Sequence, residues 1–192
     1  MFTEHQPLIA EHARTPEGFA DVVQFVITTQ NQYFYRVGEV IDEIAQVGFE
    51  ETKYLTPGQN RGIAYTRLHA PRLLDDCKSA PLMEQLRLLI EIPHIGIVKA
   101  GFITQMCYGR IGCLDRHNLR TAGLSLSAFA RIPQSTESLT QRLATYITTC
   151  NAMGTSAWLW DGWCRLIATK YPQQFRDAEA VSWNHVVWTH SV

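Results

Sequence analysis

Apolar positions recur at intervals of three and four residues along most of the chain, which is the period of an α-helix. Thr15 is a favoured N-cap residue and Pro16 suits the first position of a helix, so the pattern predicts a helix that begins there. The buried face of this helix is formed by four aliphatic residues: Val22, Val23, Val26 and Ile27.

The next stretch alternates between clear and ambiguous helical patterns. Residues 33–48 continue the helical period and predict a second helix that ends at Gly48. Residues 50–60 predict a loop. Residues 61–77 are ambiguous, and we expect any helix there to be broken at Pro71.

Residues 82–108 predict two short helices around a tight turn. The first is amphipathic and stops at Pro93, and the second covers about Ile97 to Tyr108. A further short helix is expected after Asp115. Three later segments are also predicted as helices: residues 135–154, which open on a serine cap and close on glycine, residues 155–171 and residues 176–192.

The whole chain therefore predicts an all-α, compact multi-helix domain. Its 192 residues favour a single domain over 1–192, or one domain with two lobes, and no strand pair or internal repeat interrupts the helical pattern. No apolar run is long enough to span a bilayer, and the first residues lack the pattern of a signal peptide. We expect a cytoplasmic protein without a membrane partner, or one in the host cytoplasm if it is phage-encoded.

Charge is unevenly distributed along this nearly neutral chain. The net charge is −1, yet residues 92–133 contain one acid, Asp115, against five basic residues, so this window carries +4 and the remainder −5. The basic residues are Lys99, Arg110, Arg116, Arg120 and Arg131. A local basic face is compatible with docking on phosphates, although helix faces also differ in charge by chance.

Cysteine spacing excludes the usual metal clusters. The five cysteines form no CxxC pair, so neither zinc nor iron–sulfur is indicated, and we predict no metal and no cofactor. Most lie among apolar residues and are expected to be reduced thiols of the core. They are Cys77, Cys107, Cys113, Cys150 and Cys164.

The turn within residues 82–108 has the composition of an anion site. Gly96 is expected to take a backbone conformation closed to other residues, and the amides that follow it begin a helix, where they favour an anion such as a phosphate. Lys99 would add a charge-assisted contact. Gly101 is expected to let a neighbouring helix approach closely, and Gly109 is expected to turn the chain after this helix.

The sequence IPHIGIVKAGF at this turn resembles the hairpin of helix-hairpin-helix DNA-binding proteins. The hairpin pattern is roughly Leu-Pro-Gly-hydrophobic-Gly-x-x-x-Ala, and His94 stands at its first glycine. The matching residues are Ile92, Pro93, Ile95, Gly96 and Ala100. The later sequence CLDRHNLRTAGL resembles the second motif of the helix-hairpin-helix DNA glycosylase superfamily, with Asp115, His117 and Leu124 in register.

This resemblance implies a fold, a partner and site residues. The partner would be duplex DNA with a flipped base, and Asp115 would be the catalytic carboxylate, accompanied by Lys99. The position of the superfamily's Schiff-base lysine is Val98 here, so a monofunctional glycosylase is expected. The residues expected to contact DNA are His94, Gly96, Val98, Lys99, Arg116, His117, Asn118 and Arg120.

A narrower resemblance links the chain to compact bacteriophage-encoded members of the superfamily, some of them associated with thymine hypermodification. Such a transferase displaces pyrophosphate from an activated thymine methyl with an amine or amino acid. Asp115 would then orient or deprotonate the amine, while Lys99 or Arg116 would neutralise the leaving pyrophosphate.

Three classes of function remain open from the sequence. They are a monofunctional DNA glycosylase, a base-modifying transferase, and a non-catalytic DNA-binding module in which Asp115 only caps a helix. Aromatic residues such as Tyr33, Tyr35, Trp160 and Trp163 would line a base pocket, but core packing is the stronger interpretation. Neither the base recognised nor the oligomeric state follows from the sequence.

Overall fold

The computed structural model describes residues 2–30 and 36–162 of the chain. The described residues are all-helical and contain no strand, which confirms the predicted fold class. Eight helices have defined bounds: α1 Phe2–His12, α2 Pro16–Thr28, α3 Val37–Val47, α4 Pro57–Ser79, α5 Leu82–Ile90, α6 Ile97–Tyr108, α7 Arg116–Thr121 and α8 Thr136–Met153.

Helix α2 lies at the centre of the packing. Thr15 caps it by accepting a hydrogen bond from the amide of Gly18, and Pro16 occupies its first turn, as the sequence predicts. Ten consecutive or near-consecutive residues of α2 are buried, because α1, α3, α4 and α6 all contact it. Its apolar side chains are enclosed on several sides, and the C-terminal end of α2 is therefore held in a fixed place relative to α6.

Helix α4 corrects the expectation of a break at Pro71, because it runs without interruption through that residue. It also begins at Pro57, inside the segment predicted as a loop. A capping box starts the helix: the Thr56 hydroxyl accepts from the amide of Gln59, and the Gln59 side chain accepts from the amide of Thr56. Pro71 lies on the exposed face of α4, and the helix continues although proline cannot donate a backbone hydrogen bond.

The capping box makes Thr56 a testable contributor to stability. We expect Thr56→Ala to lower the free energy of unfolding by about 1 to 2 kcal/mol, because the amide of Gln59 loses its acceptor. Thr56→Ser keeps the hydroxyl and is the matched control. Urea denaturation measures both, and equal stability of the two variants would contradict the assignment.

Helix α1 was not predicted from the sequence. It contains Pro7 and has only a weak amphipathic pattern, so the hydrophobic periodicity does not predict a helix there. Contact with α6 holds it in place, and the side-chain amide of Gln6 donates to the carbonyl of Met106 at 3.2 Å. Tertiary contact with α6 thus stabilises a helix that its local sequence propensity would not stabilise alone.

Helices α5 and α6 and the turn between them occupy residues 82–108, the range expected from the sequence. The expectation about Gly96 is wrong: its φ is −97°, which any residue adopts, and a Cβ there would meet nothing within 4 Å. The left-handed residue of the turn is His94, with φ 71°. Histidine is one of the few side chains enriched in that conformation, so His94 adopts it with modest strain.

The turn between α5 and α6 packs closely against α4 and is hydrogen-bonded to the end of α2. A Cβ on Gly62 would lie 2.4 Å from the carbonyl oxygen of Pro93, so only glycine allows this close approach. The side-chain amide of Gln30, at the end of α2, donates to the carbonyl of His94 at 3.1 Å. The turn therefore has a fixed position relative to both helices.

The C-terminal part of the described chain confirms two further predictions. Ser135 caps α8 and Gly154 follows its last residue, as expected. Residues 156–162 are helical, while the rest of the predicted helix 155–171, and all of 176–192, lie outside the described residues.

Four cysteines are free and buried as predicted, and Cys164 lies outside the described residues. Burial raises the pKa of the Cys77 and Cys150 thiols to about 12, which makes them unreactive.

Candidate functional site

One cavity of about 300 Å³ lies where the end of α2 meets the first turns of α6 and α7. Six residues line it: Thr29, Gln30, Val98, Lys99, Asp115 and Arg116. Four of these six are predicted site residues: Val98, Lys99, Asp115 and Arg116. The fold brings the six lining residues together from segments up to 87 positions apart in the chain, from Thr29 to Arg116. The cavity is close to the lower size limit of pockets that bind small ligands.

Asp115 is the N-cap of α7. Its Oδ1 accepts from the amides of His117 at 3.0 Å and Asn118 at 2.8 Å. No described residue donates a hydrogen bond to its Oδ2. Burial raises the pKa of the carboxyl, and the two amides, His117 and Lys99 only partly oppose that rise. One oxygen therefore fixes the carboxylate and the other is available to a ligand in the cavity.

Lys99 reaches the same cavity from the first turn of α6. Its Nζ donates to the Thr29 hydroxyl at 2.7 Å and lies 5.6 Å from the centre of the Phe102 ring. Burial lowers the pKa of the amine, while Cys113 and Asp115 act in the opposite direction. An amine and a carboxylate that share a cavity, with pKa values displaced toward each other, are typical of functional sites.

The loop before Asp115 is held by side chains from other helices. The Tyr146 hydroxyl donates to the carbonyl of Gly112 at 2.9 Å and accepts from the amide of Leu114 at 3.2 Å. The side chain of Gln105 accepts from the amide of Cys113 at 3.2 Å. These bonds satisfy a buried irregular backbone and fix the approach of the chain to Asp115.

Glycines make this arrangement possible. Gly109 ends α6 with φ 63°, so it turns the chain as expected. A Cβ on Gly101 would lie 2.1 Å from the Tyr146 hydroxyl oxygen, which confirms that this glycine admits a neighbouring helix. A Cβ on Gly112 would lie 2.0 Å from Leu159 Cδ1. Both close contacts bring α8 and the following segment against the loop that carries Asp115.

The residues expected to contact DNA occupy two environments. Four are exposed or half-buried at the turn and along α7 and are accessible to a large partner: His94, Gly96, Arg116 and Arg120. Val98 and Lys99 line the cavity, and His117 is half-buried. Asn118 is buried and its side chain donates to the carbonyl of Cys113 at 2.7 Å, an interior contact that supports the loop. The DNA contacts of all eight stay predictions.

Two lining residues were missed by the sequence analysis. Thr29 and Gln30 follow a strongly apolar helix and carry no motif, so nothing in their local pattern marks them. The signal available was their polarity at the end of α2, because eight of the nine residues from position 20 to position 28 are buried, Asp21 being the exception. Only the fold shows that this helix end faces Lys99.

Of the aromatic candidates for a base pocket, Trp160 lies within the described residues and does not line the cavity. Trp160 is 6% exposed, and its ring centre lies 6.0 Å from that of Phe102, which places it in the core. Tyr33, Tyr35 and Trp163 lie outside the described residues. The interpretation of Trp160 as a core residue is confirmed.

In the part of the chain that the structure describes, no group of three or more His, Cys, Asp or Glu residues is placed to hold a metal ion. Over the same residues, no helix combines the length and apolar character that crossing a bilayer requires.

Comparison of the chain with protein-family models, with curated proteins and with solved structures gives no significant match.

Proposed function

We propose that the chain binds duplex DNA and acts on a base that enters the cavity between Lys99 and Asp115, as a monofunctional glycosylase-like enzyme. The observation that carries the proposal is the shared cavity: a carboxylate with a raised pKa and an amine with a lowered pKa lie together at the starts of two helices. The order and spacing of the two motifs around them resemble the helix-hairpin-helix glycosylases.

The carboxylate suits the chemistry of base excision. As a base leaves its sugar, positive charge develops on the sugar ring, and a fixed anion lowers the energy of that state. Asp115 is held by two amides through Oδ1, so it need not reorganise during the reaction. Its Oδ2 would face the sugar or a water molecule.

The cations of the cavity suit the leaving group. A departing base carries developing negative charge, and Lys99 or Arg116 would neutralise it by donating a hydrogen bond. Lys99 is half-buried while Arg116 is exposed, so Lys99 would lie nearer the base and Arg116 nearer the DNA backbone.

The α5–α6 turn suits phosphate docking. Gly96 caps α6 without any side-chain hydrogen bond, so no side chain competes for the first amides of the helix. These amides and the positive end of the helix dipole favour an anion. His94 is exposed at the same turn. A phosphate bound there would place the duplex at the rim of the cavity.

A second candidate function is favoured by the excess of positive charge in the cavity. Two cations, Lys99 and Arg116, accompany one carboxylate, which suits the release of a pyrophosphate more than the formation of a cationic sugar. A transferase that displaces pyrophosphate from a thymine methyl with an amine or amino acid would use Asp115 to orient or deprotonate that amine.

The test incubates the protein with duplexes that carry damaged, modified or pyrophosphorylated bases, with and without small amines, and identifies products by mass spectrometry. Free base and an abasic site support glycosidic cleavage. A mass increase on an intact nucleoside that requires an amine supports transfer. DNA binding without either product, unchanged by Asp115→Asn, would leave a non-catalytic module and refute both enzymatic proposals.

Exposed arginines on α7 give a prediction for DNA binding. We expect Arg116→Gln and Arg120→Gln each to weaken binding and to reduce the slope of log affinity against log salt by about 1, because each removes one phosphate contact. Fluorescence anisotropy over a salt series measures the slope. Arg14→Gln, which removes an exposed arginine paired with Glu11, is the control. Equal slopes in all three variants would exclude α7 from the interface.

A further inference from the structure

Lys99 and Asp115 share a cavity without pairing. They carry opposite formal charges, and two such charges at contact distance near a protein surface attract each other. Within the described residues, however, the ion pairs include none between these two side chains. Both side chains line the same cavity, and the flexible Lys99 side chain places its amine at Thr29 and not at the carboxylate.

Thr29 holds it. The Thr29 hydroxyl donates its only hydrogen to the carbonyl of Val26 at 2.7 Å, so its oxygen presents lone pairs to the Lys99 amine, also at 2.7 Å. Thr29 follows the last residue of α2, where the helix dipole places partial negative charge. The Phe102 ring adds a cation–π contact from the side of α6.

Thr29 is itself fixed in position by its neighbours in the chain. Gln30, the next residue, is bonded to the carbonyl of His94 in the α5–α6 turn. The residues before Thr29 are buried from Val22 to Thr28. The acceptor for Lys99 therefore cannot follow the amine if it moves toward Asp115.

We infer that Thr29 is a positioning residue that holds the Lys99 amine away from Asp115 and so keeps the second carboxylate oxygen available to a ligand. The meaning of this arrangement for catalysis rests on the proposed function, but the arrangement itself does not. Without the Thr29 acceptor, the amine would move to Asp115, close the cavity and neutralise the carboxylate.

The first test is structural. Crystal structures of Thr29→Val, which is nearly isosteric and lacks the acceptor, and of Thr29→Ser, which keeps it, would be compared. We expect an ion pair between Lys99 and Asp115 in the valine variant and none in the serine variant. An amine that stays beside residue 29 in the valine variant overturns the inference. Thr29→Ala provides the same comparison if the valine variant does not fold.

The second test follows Lys99 in solution with an amine-acylating reagent and peptide mass spectrometry. We expect labelling of Lys99 to slow at least about fivefold in Thr29→Val and to stay unchanged in Thr29→Ser, because an ion pair with Asp115 favours the protonated ammonium and only the unprotonated amine is acylated. Labelling of exposed Lys53 is the internal control. Faster or equal labelling in the valine variant overturns the inference.

A double-mutant cycle links the inference to turnover. If the protein modifies DNA, Thr29→Val slows the reaction in the natural background and has no further effect in Lys99→Met, because its action requires the amine. Additive losses in the cycle would show a role independent of Lys99. If no DNA chemistry is found, the proposed function fails while the structural and labelling results still decide the role of Thr29.

Discussion

Asp115→Asn is expected to reduce the rate of the DNA-directed reaction by about 100- to 1,000-fold, the loss that follows removal of one well-placed electrostatic group. Asparagine keeps the side-chain oxygen that accepts from the amides of His117 and Asn118, and it is as good a helix cap as aspartate. The substitution therefore removes the charge and the proton-accepting oxygen while leaving the fold in place. Single-turnover assays on the substrate identified by mass spectrometry measure the loss.

Stability separates this effect from damage to the fold. We expect the free energy of unfolding of Asp115→Asn to stay within about 0.5 kcal/mol of the natural protein, whereas Asp115→Ala should lose about 1 kcal/mol because it removes the cap. Asp75→Asn, at an exposed aspartate of α4, controls for the change of net charge. Full turnover in Asp115→Asn would contradict the catalytic role and would show that Asp115 acts only as a helix cap.

The pH dependence of turnover follows from the direction of the Asp115 shift. Burial raises the pKa of this carboxyl, so its ionised form is reached only at a pH above the usual range of an aspartate. If the reaction needs the carboxylate, the rate rises with pH through that raised pKa. The acidic limb of the pH–rate profile should disappear in Asp115→Asn.

Gly101→Ala is expected to produce the largest loss of stability, about 3 kcal/mol or more. The new methyl group would lie 2.1 Å from the Tyr146 hydroxyl oxygen, so either the ring or α6 must move. Movement of the ring breaks its hydrogen bonds to Gly112 and Leu114, which leaves buried backbone groups without those partners. Urea denaturation measures the loss.

Gly96→Ala is the matched control in the same pair of helices. A Cβ on Gly96 meets nothing within 4 Å and its φ of −97° suits alanine, so we expect a change within about 0.5 kcal/mol. Similar losses in the two variants would contradict the close approach of Tyr146 to α6. Because Tyr146 supports the loop before Asp115, Gly101→Ala should also slow turnover in the fraction that remains folded.

The local elements were well predicted where capping residues mark them. Thr15 and Pro16 start α2, Ser135 starts α8, and Gly109 ends α6, because these side chains or backbone conformations satisfy groups that every helix end exposes. Asp115 was singled out by the resemblance to the glycosylase motif, and the structure also places it as the N-cap of α7, a position that an aspartate before a short polar helix favours. Such interactions span two or three residues and need no tertiary information.

The errors share one physical cause, which is tertiary contact overriding a local rule. Pro71 was expected to break α4, yet it lies on the exposed face of a helix that the core and the capping box hold together. The positive-φ backbone conformation was assigned to Gly96, because glycine adopts positive φ readily and histidine does so much less often. In the structure His94 adopts it. Helix α1, with its internal proline, is held by contacts with α6.

The sequence by itself determined the all-α class, the helix ends and the presence of a carboxylate and a lysine near one turn, because each depends on short-range hydrogen bonding and hydrophobic periodicity. Only the tertiary structure decided where those groups point. Lys99 turns toward Thr29, which is 70 positions away in the chain, and Asp115 faces the same cavity because Tyr146 fixes its loop. Long-range packing sets side-chain direction, and that information is distributed over the whole core.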